Sequence, residues 1–219
     1  MPTLPQRSTR FHRRCAGFTI VEVLTVVAIL GILAALLLPV LGRTQQNAKK
    51  AKTRVQFSQW SSAIEAFRQE YGHYPVFHTS GNAAFIENGR IDNATRTNIF
   101  AQALSGTTLA GARYSDTDPG FVAGNVKRIR FYSFGEPDLT KDASPLLQDA
   151  FGNTEVVVLM DKNYDGQIRF GSSATDDYAS PPSVGGLTVS STDPIRAGVA
   201  IYSAGAGNSA GDVVTSWAP

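Results

Sequence analysis

The chain has 219 residues, 42% hydrophobic and 17% charged, which is ordinary for a folded protein and enough for one medium core plus an anchor. Residues 1–17 hold Arg7, Arg10, Arg13 and Arg14 and no acid, so of a formal net charge of +2 the remaining 202 residues carry −2. That mild acidity argues against nucleic acid as a direct partner, and Cys15, the only cysteine, lies in the basic leader, so a chain cut after Gly17 could hold no disulfide. Beyond the leader only His73 and His78 remain, thin material for a His-rich metal site or His-based catalysis.

The first element is apolar. Phe18 to Leu41 reads FTIVEVLTVVAILGILAALLLPVL, and Val23 to Leu41 carries no charge over 19 residues. At 1.5 Å per residue this matches a bilayer core of about 30 Å, so the sequence predicts a transmembrane helix. A cleaved secretory signal fits less well, because its apolar core is shorter and ends in an A-x-A-like site. Arginines before the run and Arg43, Lys49, Lys50, Lys52 and Arg54 after it balance, so charge sets no orientation. Ala28, Gly31, Ala34 and Ala35 form a small-residue stripe that lets helices approach closely. Pro39 removes a helix hydrogen bond and invites a kink. Glu22 is the anomaly, since an unpaired carboxylate in such a run costs several kcal/mol.

A basic leader ending in Gly17, then Phe18, then Glu22 at the fifth position of the cut chain, then about twenty apolar residues, resembles the N-terminal signal of type IV pilins and type II secretion pseudopilins. The resemblance implies cleavage by a prepilin peptidase between Gly17 and Phe18 and methylation of Phe18. It also implies subunit assembly through Glu22, which meets the α-amino group of Phe18 in a neighbouring copy, and through the helix-breaking Pro39. A buried charge is then tolerated because it sets the stagger between subunits.

After Gly42 the pattern turns amphipathic. Ala48, Ala51, Val55, Trp60, Ile64, Phe67 and Tyr71 recur mostly three or four apart, with Lys49, Lys50, Lys52, Arg54, Gln59 and Arg68 between. The basic cluster suits a solvated face or a lipid-headgroup anchor. From Phe18 to Tyr71 an unbroken helix would span roughly 80 Å. Gly72 and Pro75 end it, and Tyr71-Gly72-His73-Tyr74-Pro75 resembles the Y-x-x-Y-P terminator of pseudopilin-like proteins.

In the C-terminal region a short helix is predicted at 96–105, closed by Gly106. Strands are predicted at 127–134, 155–160, 167–170 and 198–203. Asn93-Ala94-Thr95 fits a glycosylation acceptor. Asp149-Ala150-Phe151-Gly152-Asn153 resembles the D-x-W-G-N loop of major pseudopilins, with Phe in place of Trp. The Val199–Ser203 strand, with the glycine-rich loop and Trp217 after it, resembles their C-terminal segment, where a calcium loop is implied. Asp212 is the one carboxylate there. Asp161, Asn163 and Asp165 stand at positions one, three and five of an EF-hand-like string ending Gly166-Gln167-Ile168, a second candidate for Ca²⁺, though Ser172 replaces the twelfth-position Glu. Asp176 or Asp177 could close that site. The same residues also make a plain turn. Residues 171–194 are too long for a hairpin loop and are expected to be functional or mobile. Gly207–Gly211 matches G-x-S-x-G at Ser209, but no His follows, so no catalytic residue is assigned.

Together these readings predict an α+β, pilin-like fold: a long N-terminal helix packed on a small antiparallel sheet. The expected division is a leader at 1–17, a transmembrane and filament-core helix at 18–41, an amphipathic helix at 42–72 and a periplasmic head at 73–219. The resemblance implies a non-enzymatic filament subunit of a type II secretion machine, held in the bacterial inner membrane before assembly. Its partners would be copies of itself, prepilin peptidase, other minor pilins or pseudopilins and an inner-membrane assembly platform. No organic cofactor is expected. A type IV pilus or DNA-uptake pilin is one alternative, and a membrane-anchored periplasmic binding domain or enzyme is another.

Overall fold

The structure, a computed structural model, describes residues 17–76, 89–189, 193–207 and 209–217, and only the backbone of 37–41 and 210. Residues 1–16 with Cys15, the 77–88 stretch with His78, and the side chain of Pro39 lie outside the described residues. The chain divides into two compact units, Met1–Thr44 and Gln45–Pro219. Helix α1, Ile20–Tyr71, contributes to both, and its backbone is helical through position 39.

Among the described residues of the N-terminal unit the apolar side chains of α1 stay open, and Ile20, Leu24, Val27, Leu30 and Leu36 are all more than half exposed. Among the described residues no helix is long and apolar enough to cross a membrane. The span expected over 18–41 is therefore not found among them, and the side chains at its distal end are outside the description.

In the C-terminal unit the same helix turns one face inward. Phe57, Trp60, Ala63, Ile64 and Phe67 are buried at spacings of three and four. Its end follows the expected chemistry: Gly72 takes φ 77°, a left-handed conformation that favours glycine, and its N–H donates to the Arg68 carbonyl at 2.8 Å. Pro75 follows. Helix α2, Ala94–Ser105, starts where the Asn93 side chain accepts the Arg96 N–H at 2.9 Å and stops at Gly106, φ 69°. Asn93 is thus a helix cap, which gives the glycosylation tripeptide a structural reason to exist.

The sheet has four antiparallel strands in the order β1 (Arg90–Ile91), β2 (Val156–Met160), β3 (Val199–Ser203), β4 (Val214–Thr215). Strands β2 and β3 pair over their whole length, from Val156 opposite Ser203 to Met160 opposite Val199. All ten of their residues are buried, because both sheet faces are covered. Val156, Val158, Met160, Val199 and Ile201 face Phe57, Trp60 and Ile64 of α1 and Ile99, Phe100 and Leu104 of α2. The alternate residues Val157, Leu159, Ala200 and Tyr202 meet Ile168, Tyr178, Val184 and Ile195. Each fully buried apolar side chain contributes roughly 1.5–3 kcal/mol.

Three expectations are corrected here. Residues 127–134 form no strand: the Phe131 and Tyr132 N–H groups both donate to the Leu104 carbonyl at the end of α2 (2.8 and 3.0 Å), and the aromatic rings pack on the first core. Buried Asn125 shapes the chain before them, donating to the Ala103 and Ile129 carbonyls and accepting from Ile129 N–H and Tyr71 Oη. Residues 167–170 make single bridges, Ile168 to Ile195 and Phe170 to Tyr178, rather than a strand. The long 171–194 segment, described at 171–189 and 193–194, packs on the sheet rather than standing clear of it. It supplies Tyr178 and Val184 to the second core, Tyr178 Oη accepts the Met160 N–H (2.9 Å), and Tyr202 Oη donates to the Pro182 carbonyl (2.7 Å).

The Asp149–Asn153 loop ties these parts together. Asp149 is 2% exposed, and its Oδ1 accepts the Phe151 and Asn153 N–H groups. Its Oδ2 accepts Ser203 Oγ (2.6 Å) and Asn153 Nδ2 (2.9 Å), while Asn153 Nδ2 also reaches the Gly205 carbonyl. A buried carboxylate so fully supplied with donors is stabilising rather than costly. Ala150 N–H donates to Thr53 Oγ1 of α1.

Candidate functional site

The N-terminal segment concentrates the unusual chemistry. Gly17 and Phe18 precede the helix; Phe18 is 84% exposed, and nothing lies within 4 Å of where a Cβ on Gly17 would sit. Thr19 caps α1: its carbonyl accepts the Val23 N–H (3.3 Å). Its Oγ1 accepts the Glu22 N–H (3.3 Å) and donates to Glu22 Oε2 (2.8 Å), and Glu22 Oε2 also accepts the Thr19 N–H (2.9 Å). This is a capping box, in which residue and helix exchange otherwise orphaned donors. The carboxylate that looked anomalous therefore has a partner in its own chain. It also sits in the first turn, where the helix dipole favours negative charge. The T-x-x-E pattern before an apolar run carries this signal, and reading Glu22 as a partner for another subunit passed over it.

Past this cap Ala28, Gly31, Ala34 and Ala35 lie on an exposed helix, and a Cβ on Gly31 would meet nothing within 4 Å. Such a surface can do one thing chemically, which is to bury apolar area against another apolar body.

The residues expected to hold calcium fold differently. Asp161 Oδ1 and Asn163 Oδ1 both accept the Asp165 N–H, and Asp161 Oδ2 accepts the Gly166 N–H at 2.7 Å. Asp165 Oδ1 accepts the Gln167 N–H and its Oδ2 pairs with Arg169 at 2.8 Å. Asp177 accepts the Lys162 and Arg169 N–H groups, and Asp176 accepts the Ser173 N–H. Asp212 lies in a 3₁₀ turn, Ala210–Asp212, and its Oδ2 accepts from Ser209 Oγ (3.2 Å). Among the described residues no three acid, His or Cys side chains form a group that could hold a metal. Asp161, Asn163 and Asp165 meet on one turn, where their side-chain oxygens accept backbone N–H groups, and Asp212 lies in a turn of its own.

Residues 12–38 match the family model described as the prokaryotic N-terminal methylation motif. The N-terminus is type IV pilin-like. The chain is 35% identical over 71 residues to the type IV major pilin protein PilA of Myxococcus xanthus, a match covering 32% of each protein. It is 35% identical over 64 residues to the type II secretion system core protein G of Aeromonas hydrophila, covering 29% of this chain and 45% of the relative. The same protein of Dickeya chrysanthemi is 33% identical over 65 residues, covering 30% and 42%. In these matches the chain spans less than half the length of each relative. No solved structure matches. The pilin-like reading of the fold stands on the long N-terminal helix followed by a small four-stranded antiparallel sheet.

Proposed function

We propose that this pilin-like chain is a filament subunit of a type II secretion machine. It would be made as an inner-membrane precursor with its C-terminal unit in the periplasm, cut by prepilin peptidase between Gly17 and Phe18, and methylated on Phe18. One observation carries the reading: the methylation-motif segment forms a helix whose apolar side chains are exposed and whose start holds a single carboxylate, Glu22. That surface calls for a partner, first lipid and then copies of itself together with other pseudopilins on an assembly platform.

In this reading cleavage creates a cationic α-amino group on Phe18, four residues before Glu22. In a bundle, a neighbour's amine joins the Thr19 donors on the Glu22 carboxylate, and the charge pair is buried with its hydrogen bonds satisfied. The small-residue stripe admits close helix approach. The buried Asp149 loop and the Val199–Ser203 strand, both similar to major pseudopilins, favour the secretion machine. The similarity to a type IV major pilin favours a pilus subunit as second reading.

The deciding test is the intact mass and N-terminal residue of the membrane-extracted protein from a host with its own prepilin peptidase. The expected product begins at N-methylated Phe18. A chain retaining its leader would overturn the reading, and Glu22→Ala is expected to abolish filament formation while leaving cleavage intact.

A further inference from the structure

Four cations line one stretch of α1 inside the C-terminal unit: Lys49, Lys50, Lys52 and Arg54. Among the described residues none of them makes an ion pair, whereas Arg68, Arg90, Arg96, Lys127, Arg128, Lys141 and Arg169 each pair with a carboxylate. No Asp or Glu occurs in the sequence between Glu22 and Glu65. Spacing makes matters worse for the isolated helix, because Lys49 and Lys52 are three apart and Lys50 and Arg54 four apart, so like charges adjoin.

These cations are held in place. Lys49 and Lys52 are exposed and Lys50 and Arg54 half-buried, while Thr53, Gln56, Phe57 and Trp60 of the same helix are buried. Thr53 is bonded to the 149–153 loop, and Lys49 Nζ lies 5.8 Å from the centre of the Phe151 ring. A core-anchored helix therefore presents positive charge on both flanks of its buried face, Lys49 and Lys52 on one side and Lys50 and Arg54 on the other, with no carboxylate paired to it among the described residues.

We propose that Lys49, Lys50, Lys52 and Arg54 form a binding surface for the headgroups of anionic phospholipids. The proposal rests on the reading above that the apolar run inserts in a bilayer. Two features favour lipid over an acidic protein. In sequence the cluster begins eight residues past the end of the apolar run at Leu41, and basic side chains beside an inserted apolar segment are attracted to anionic headgroups. Three of the four cations are lysines, hydrated point charges suited to mobile phosphates, whereas the carboxylate-paired cations of this chain are mostly arginines, which grip fixed oxygens in a fork. From Glu65 onward the chain carries 17 acids against 11 lysines and arginines, so the acidic surface of a second copy is the competing occupant.

The test uses the full chain in detergent, transferred to vesicles of phosphatidylcholine alone or mixed with phosphatidylglycerol and read by flotation. Wild type is compared with K49Q/K50Q/K52Q, which shares the same leader and whose thermal melt serves as the folding control. The expected result is insertion of both chains into both vesicles. Wild type should also prefer the anionic vesicles by about tenfold or more at low salt, a preference largely lost in the variant and at high salt. Equal preference in the two chains would overturn the proposal. So would a variant that alters salt-dependent self-association without altering lipid preference, which would give the cluster to a second copy. Failure of both chains to float with either vesicle would instead bring down the membrane reading itself.

Discussion

Ile29 and Ile64 belong to one helix and one residue type, yet the first is 58% exposed and the second fully buried. In the C-terminal unit the apolar face of α1 meets strands and a second helix supplied by the same chain. Among the described residues of the N-terminal unit the same kind of surface stays exposed. The lesson is that α1 holds two different contracts with the rest of the molecule. Its later turns are stabilised by intrachain packing, and its early turns keep their apolar area for a body outside the chain.

That contrast can be broken at several points. Trp60→Ala should lower the unfolding free energy of the C-terminal unit by about 3–5 kcal/mol, because it removes a fully buried ring that packs on Phe57 and Phe100. Urea denaturation measures it. Asp149→Ala should cost about 2–3 kcal/mol by the same assay, since buried Ser203 Oγ and two loop N–H groups lose their acceptor. Asp161→Ala should cost about 1–2 kcal/mol by leaving the Gly166 N–H without its acceptor, while the Asp165 N–H keeps Asn163 Oδ1, and a calcium chelator should leave the melting temperature of wild type unchanged. A chelator-induced drop would restore a metal role for that loop.

Smaller again is an alkaline effect. Burial pushes the hydroxyls of Tyr114 and Tyr132 up to about 12, helped at Tyr132 by the neighbouring Asp138 carboxylate. Their neutral forms are favoured in the fold, so this stability is fully present below the ordinary tyrosine value of about 10 and is lost as pH rises toward about 12. Melting curves across that window should fall, and less steeply for Tyr114→Phe. Smallest is Leu30→Ala, which should leave the melt of the C-terminal unit unchanged while weakening self-association of the processed chain. A lowered melting temperature there would erase the distinction between the two regions.

How much of this was legible in the sequence follows from where each signal resides. Helix α2 announced its end through Gly106, because caps are local chemistry; the expected start at 96 falls two residues late, since Asn93, read as a glycosylation acceptor, is the cap of a helix that begins at Ala94. Strands β2 and β3 were legible as short apolar β-branched runs. Strands β1 and β4 were not, since two residues become a strand only through the partners they pair with. The 127–134 stretch misled because its aromatic residues are there for burial against α1 and α2, and Asn125 binds the backbone that a ladder would have used. The 171–194 segment misled by composition: its glycines, serines and prolines read as a functional or mobile loop, while Tyr178 and Val184 are buried in the core and Leu187 and Val189 pack against it. At the candidate site, the N-terminal methylation motif was legible, but the Thr19 to Glu22 exchange was a local hydrogen-bond pattern overlooked in favour of a distant partner.

Strands β1 and β4, the two borders of the sheet, are each two residues long. An exposed border is normally a template on which a foreign strand can extend the ladder, and two residues give such a strand almost nothing to grip. Both faces of β2 and β3 are already roofed over. Wherever many copies of this chain are crowded together, the blunt borders protect them from fusing through their sheets, and contact is left to the surfaces of helices.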